Sequence, residues 1–378
     1  MPYAEGRTYF DADSHLMELP GWLEEYADAG IRDRIRPLHL GAAGKLADRA
    51  IADAEQRRGD EQAALQLEDD LMTKKGWAGL GAFDRSERSR ALDLLGFDRQ
   101  LVFSTFAGTQ FLSGDLDLLF GGTTALNRAM VDFCADDERL LPVASIPWGP
   151  PEETAGATAE AIELGAAAVL VPTLPAKDGV SPTHPDYDGV WRTLAERDVP
   201  FMVHIGGGGP AVRPVFHRNG KSVTDFLGGG ENVRAKDYLG VSHSAEIFLG
   251  ALIFDGVFDR FPALRGGCIE LGAVWVPGWM TKLDLAQKTF GRTEPDLANL
   301  ELRPSEYAHR NLWFTPFPTE PVGWLIEQAG DDLFLFSSDY PHPEGGRDPL
   351  KRFEATLSDT DAAAKERFYS GNFADMMG

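Results

Sequence analysis

Short apolar runs alternate with helix-like segments along most of the chain, the pattern left by βαβ units wound around a parallel sheet. The runs fall at Arg7–Asp13, Gln100–Thr105, Leu141–Ile146, Ala167–Val171, Phe201–His204, Gly267–Leu271, Leu312–Thr315 and Leu333–Ser337. Eight such runs in one chain predict an α/β fold closed as a (β/α)8 TIM barrel rather than an open sheet. Three intervening segments predict helices. Thr154–Leu164 is rich in Ala and Glu, Tyr187–Arg197 carries an apolar stripe at helical spacing, and Ile247–Phe258 is amphipathic.

Two stretches interrupt this rhythm. Residues 19–92, between the first two strands, are rich in Arg, Asp, Glu and Ala and predict a helical cap insertion over the barrel mouth. Residues 206–238 begin Gly-Gly-Gly-Gly-Pro and contain Gly228–Gly230, which predicts a long mobile loop after the fifth strand. Each follows a strand directly, and so belongs to the C-terminal face where barrels keep their active sites. With no internal repeat or low-complexity tract, residues 1–378 read as a single domain.

Composition narrows the partners. Hydrophobic residues make up 43% of the 378 positions, enough for a sizeable core. A formal charge of -23 repels phosphate backbones and anionic bilayers, which argues against nucleic acid and membrane partners and leaves a small-molecule substrate. An anionic substrate would then need local positive charge inside the site. Cys134 and Cys268 are isolated in apolar surroundings, giving neither a disulfide framework nor a CxxC pair. The first twenty residues lack a basic segment followed by an apolar run, and no apolar stretch approaches the ~20 residues of a bilayer span. The expectation is a cytoplasmic protein.

Three strand ends carry candidate chemistry. In Phe10-Asp11-Ala12-Asp13-Ser14-His15, strand alternation points Asp11, Asp13 and His15 to one side, and a carboxylate and imidazole two apart can chelate one divalent metal. His204 closes the apolar run Val199–Ile205 just before the glycines. Asp339 ends the last run within Phe336-Ser337-Ser338-Asp339-Tyr340-Pro341-His342-Pro343, where it can bind a metal, orient water or accept a proton. Alone, each is as readily a chance pair, a core histidine or a turn cap. Their coincidence at the same end of the first, fifth and last strands is the stronger signal.

With these motifs the chain resembles the amidohydrolase-related family of the aminocarboxymuconate-semialdehyde decarboxylase type, which includes γ-resorcylate and 5-carboxyvanillate decarboxylases. The resemblance rests on DADSHLME, PFMVHIG, IFDGVFDRFPALR and FSSDYPHPEG and spans nearly the whole chain. It implies one zinc or manganese ion held by Asp13, His15, His204 and Asp339. Asp13 stands where the family more often has His or Glu, and the extra carboxylate favours the harder manganese without displacing zinc. The fourth run, Ala167–Val171, has no Lys, so the carboxylated lysine of binuclear relatives is absent. Family members are often dimers, so a homodimer is a further expectation.

The resemblance also implies a sixth-strand catalytic His, and the matching position reads as Leu271. Glu270 beside it should face away from the site by strand alternation unless a bulge intervenes. His342, Glu270 and His243 are the candidates to replace that acid/base, with His342 preferred. Arg213, Arg218, Arg303 and Arg347 are candidates to bind a substrate carboxylate, and Trp275, Trp279, Trp313 and Phe317 to line a pocket for a planar ring. Three functions fit these residues. One is a metal-dependent decarboxylase of an aromatic or unsaturated acid, the second a metal-dependent hydrolase with Asp339 as proton acceptor. The third is a catalytically altered metal- or ligand-binding barrel.

Overall fold

A computed structural model describes residues 2–40, 44–57, 61–112, 115–174, 179–207, 212–221 and 234–378. Seven apolar runs form strands: β1 Phe10–Leu16, β2 Arg99–Ser104, β3 Leu140–Ser145, β4 Ala168–Leu170, β5 Phe201–His204, β6 Gly266–Ile269 and β7 Leu312–Phe314. They pair in sequence order as one curled parallel sheet. Parallel neighbours need long crossovers, and helices supply them. Helices α1 Gly44–Arg57, α2 Glu61–Asp69 and α3 Arg85–Leu95 lie between β1 and β2, and α4 Leu116–Cys134 follows β2. Further along come α5 Pro151–Leu164, α6 Asp188–Glu196, α7 His243–Phe254, α8 Val276–Phe290 and α9 Val322–Ala329.

The expected eighth strand, Leu333–Ser337, is not a regular one. Single bridges join Phe334 to Phe314 and Tyr340 to Ser14. Ala12 donates its N–H to Phe336 O, Asp339 to Asp13 O, and His15 to Tyr340 O. The segment therefore connects β7 to β1 and brings the sheet round on itself. Its ladder breaks where the Ser338 N–H turns to the Asp11 carboxylate, 2.7 Å away, instead of a backbone carbonyl.

Ala12, Leu101, Phe103, Val143, Ala168, Met202, Ile269 and Trp313, at least one from each strand, pack with Leu335 into an inner core, so the barrel interior is filled rather than hollow. Phe373 touches Phe10 at the start of β1 and joins this core with Met376, stopping its lower end. Trp313 thus fills the interior. Trp275 and Trp279 pack edge-on against Phe314 at 5.5 and 6.2 Å; all three tryptophans serve the core rather than a ring pocket. Cys134 and Cys268 are buried free thiols. Most of the glycine loop expected over 206–238 lies outside the described residues. Among the described residues, no helix is long and apolar enough to cross a membrane.

Candidate metal centre

The site begins with an irregularity in β1. Its register with β2 shifts between Asp11 and Ser14, which breaks the simple alternation expected of Asp11, Asp13 and His15. Ala12 faces the inner core, while Asp11 turns outward, where Gln100 Nε2 and the Ser338 hydroxyl donate to Oδ2 at 2.7 and 2.6 Å. Beyond the shift, Asp13 and His15 both face the barrel mouth, with His15 Nε2 3.3 Å from Asp13 Oδ1.

The ends of β5, β6 and the closing segment complete the cluster. His204 Nε2 lies 3.4 Å from Asp13 Oδ1 and 3.5 Å from Glu270 Oε2. Asp339 Oδ1 is 3.7 Å from His15 Nε2 and 3.1 Å from His342 Nδ1. Donor atoms of Asp13, His15, His204 and Glu270 fall within 4.8 Å of one another, and so do those of His15, Glu270, Asp339 and His342. Of the four ligands expected from the sequence, Asp13, His15 and His204 fall in the first group and Asp339 in the second, with His15 and Glu270 common to both.

Glu270 reaches the site because its φ is +53°, a left-handed conformation that a bulky residue adopts at a cost. Ile269 points inward as alternation requires. The left-handed turn then returns Glu270 to the same side and sends Leu271 into the outer core. The β6 position that faces the cluster is thus Glu270, not Leu271. Asp339 is turned by the same device, also with φ +53°.

Electrostatics and orientation suit a cation. Burial alone would raise the Asp13 carboxyl, yet hydrogen bonds and charge from His15 and His204 hold it well below the usual range. Burial, with His342 alongside, lowers His15 to about 4, so its imidazole is a neutral donor. Burial also opposes charge on His204, but Asp13 outweighs it and raises that imidazole. His204 Nδ1 sits 3.1 Å from Ile205 O; a proton held there leaves Nε2 facing the cluster, the arrangement that orients metal-binding histidines. Asp13 Oδ2 and both Asp339 carboxylate oxygens are buried without a hydrogen bond. Such groups are costly unless something positive occupies the space between them. The donor set fits one divalent ion.

A polar frame holds these groups in place. Fully buried Arg88 donates to Ser14 Oγ and Gln100 Oε1, each at 2.9 Å, linking β1 and β2 to Asp11 and the closing segment. Burial pushes Asp11 up to about 7 against the donors that Gln100 and Ser338 supply. Glu18 accepts the N–H groups of Thr105, Phe106 and Ala107 and so fixes the loop after β2. From that loop Thr105 Oγ1 lies 3.1 Å from His342 Nε2, and His342 stacks on His15 with centroids 3.9 Å apart.

Other expected residues do not join. His243 is exposed at the first position of α7, and Arg213, Arg218 and Arg347 are exposed. Arg303 pairs with Glu306 at 3.4 Å on the surface. The arginines are expected from their places in the glycine loop, after the sixth unit and beyond His342. Lys75, which the sequence reading passed over, is placed beside the site: burial lowers its ammonium to about 8, with Asp339, Asp11 and Glu344 opposing. A Lys-Lys-Gly-Trp stretch in a charged insertion carries no signal that would single it out.

Two cavities adjoin the cluster and share Phe106. One, of about 420 Å³, includes His15 and His204 and is walled by Phe103, Phe111, Trp148 and aliphatic side chains. The other, of about 510 Å³, includes His342, Glu344, Lys75 and Arg49, so the insertion before β2 supplies part of its wall. Phe317, alone of the expected aromatic residues, lines a small space of about 20 Å³ beside Asp13, Glu270 and Asp339.

The Amidohydrolase family model matches residues 10–376. An amidohydrolase from Mycobacterium avium subsp. paratuberculosis superposes with a TM-score of 0.74 at 21% identity, covering 99% of this chain and 100% of its own. The 5-carboxyvanillate decarboxylase of Novosphingobium aromaticivorans, complexed with manganese and 4-hydroxy-3-methoxy-5-nitrobenzoic acid, gives 0.63 at 18% identity over 98% and 96%. A dihydroxybenzoic acid decarboxylase from a Polaromonas species, with bound manganese and the inhibitor 2-nitroresorcinol, gives 0.63 at 16% over 98% and 97%. At these identities the likeness to solved structures shows the fold alone.

Proposed function

The chain belongs to the amidohydrolase family, and from that premise we propose that it is a mononuclear metal-dependent carboxy-lyase acting on an aromatic or unsaturated acid. Asp13, His15, His204 and Asp339 hold the ion. Manganese is favoured by the two carboxylates in the set and agrees with the ion bound by the decarboxylases of the same fold. The observation that carries the reading is the convergence of buried, unsatisfied carboxylate oxygens and oriented imidazoles at the mouth of a cavity walled by aromatic rings. Once bound, a divalent ion polarises a carboxylate or phenolic oxygen and neutralises charge that develops on it.

The remaining steps fall to the chain's own groups. Phe103, Phe111 and Trp148 wall the cavity on the His15 side, exclude water and take the planar body. Glu270, 3.5 Å from His204 Nε2, delivers a proton to the carbon that loses its carboxyl, the role of a general acid. His342 sits 3.1 Å from Asp339 and 3.1 Å from Thr105 Oγ1; stacked on His15, it holds that ring in place beside the carboxylate.

Hydrolysis is the second reading, favoured by one observation. Neither oxygen of Asp339 has a hydrogen bond, which leaves this carboxylate available to accept a proton from water. A panel of hydroxybenzoates and muconate-like acids, followed by evolved CO2 with manganese or zinc supplied, separates the two. CO2 release supports decarboxylation. Turnover of esters, amides or lactones without CO2 replaces it with hydrolysis, and turnover of neither panel removes both in favour of a binding barrel.

A further inference from the structure

Lys75 is a partly buried cation whose ammonium is not satisfied. Its Nζ is shielded from solvent and has no hydrogen-bond partner, although an ammonium carries three donors. It lies over the Tyr340 ring, 5.5 Å from the centroid, while Asp339, Asp11 and Glu344 act on it through charge without a hydrogen bond. An unmet ammonium inside a protein is costly, and a counter-charge to the cluster would be expected to bond a carboxylate directly. Lys75 instead lines the cavity of about 510 Å³ that reaches His342 and Glu344. Arg49, Lys74 and Asp53 share that wall, so the cavity is net cationic in a chain of charge -23. None of the four arginines considered from the sequence enters the site as described, whereas Lys75 borders it.

The second cavity has the opposite character. Among the described residues, its wall of Phe103, Phe111, Trp148 and aliphatic side chains contains no Lys, Arg, Asp or Glu. The stacked pair His15 and His342 stands between the two: His15 faces the apolar cavity and His342 the cationic one. A substrate whose reacting group meets the ligand cluster therefore has an apolar arm to one side and a cationic wall to the other.

We propose that Lys75 is a specificity-determining residue that binds an anionic group of the substrate distinct from the reacting one, and that the substrate is an amphiphilic acid with an aryl or acyl body. This rests on the metal-centre reading for the position of the reacting group. The ammonium gains an acceptor on binding, and a neutral analogue leaves it unmet. Charge-assisted hydrogen bonds of this kind change affinity by roughly tenfold to a hundredfold.

The test compares two probes on manganese-loaded protein by titration calorimetry. Benzylsuccinate has a phenyl body and two carboxylates; 4-phenylbutanoate keeps the phenyl body and one carboxylate. Wild-type protein is expected to bind benzylsuccinate roughly tenfold or more tightly than the monoacid. Lys75→Met should erase that preference and leave monoacid affinity and manganese content unchanged, and Lys75→Arg should restore part of it. Equal binding of the two probes by wild type, an unchanged preference in Lys75→Met, or equal weakening of both probes overturns the proposal. If Lys75→Met fails to fold, Lys75→Gln read against Lys75→Arg by the same ratio decides it. Failure of the metal-centre reading is recognised separately, because monoacid binding by wild type would then not depend on added manganese.

Discussion

Replacing Asp11 with Ala tests whether the site depends on the frame behind it. Asp11 is fully buried and accepts the Ser338 N–H at 2.7 Å, the Ser338 hydroxyl at 2.6 Å and Gln100 Nε2 at 2.7 Å. The hydroxyl can turn elsewhere, but the backbone N–H cannot. Gln100 cannot flip without withdrawing Oε1 from Arg88, 2.9 Å away. Besides the long 3.3 Å bond from the Asp13 N–H, two donors are stranded, at about 1–3 kcal/mol each, so the expected loss is about 4 kcal/mol. For 378 residues an unfolding entropy of about 2.1 cal/mol/K per residue gives about 0.8 kcal/mol/K, so Tm should fall by about 5 °C. Asp11→Asn keeps one acceptor and should lose about half as much. The folded carboxyl, at about 7, lies above its unfolded value. Its stabilising contribution is therefore full at low pH and is lost as pH rises through 7. The Ala variant should consequently be further below wild type at pH 6 than at pH 8. Calorimetric melts at both pH values check this. A variant melting within about 1 °C of wild type at both, or a larger gap at pH 8, refutes the reasoning.

Other outcomes follow from the same geometry. Glu270→Gln should lower turnover of any substrate found in the CO2 panel by about 10²–10⁴-fold while bound metal, measured by elemental analysis, stays at the wild-type level. Chelation of the metal-loaded protein should lower its melting temperature. At metal 100-fold above Kd the linkage is about 2.7 kcal/mol, or about 3 °C for a chain of this length. Thr105→Val, which removes the hydroxyl 3.1 Å from His342 Nε2, should reduce kcat by about tenfold with little change in metal content, as read from paired kinetics and metal assays.

The parts of this site that were legible in the sequence are those set by strand periodicity. His204 closes β5 at the position its apolar run predicts, and seven of eight strands lie within a few residues of their expected bounds. Periodicity fails where the backbone departs from it. The register shift in β1 sends Asp11 outward. The left-handed turn at Glu270 exchanges it with Leu271, and the side-chain acceptor at Ser338 dissolves the last strand. Each departure stands at the cluster itself, where strain is spent on aiming ligands. The arginines illustrate another limit. Residue type and place in the chain selected Arg213, Arg218, Arg303 and Arg347, whereas Lys75 beside the site comes from an insertion whose path is set by tertiary packing.

Binding of one divalent ion by Asp13, His15, His204 and Asp339 is tested most directly by metal stoichiometry. Protein loaded with manganese, freed of excess and analysed by mass spectrometry of the metal should carry one ion per chain. His204→Ala and Asp339→Ala, folded by circular dichroism, should carry far less. Wild-type protein that retains no manganese or zinc, or both variants retaining a full equivalent, would contradict the account.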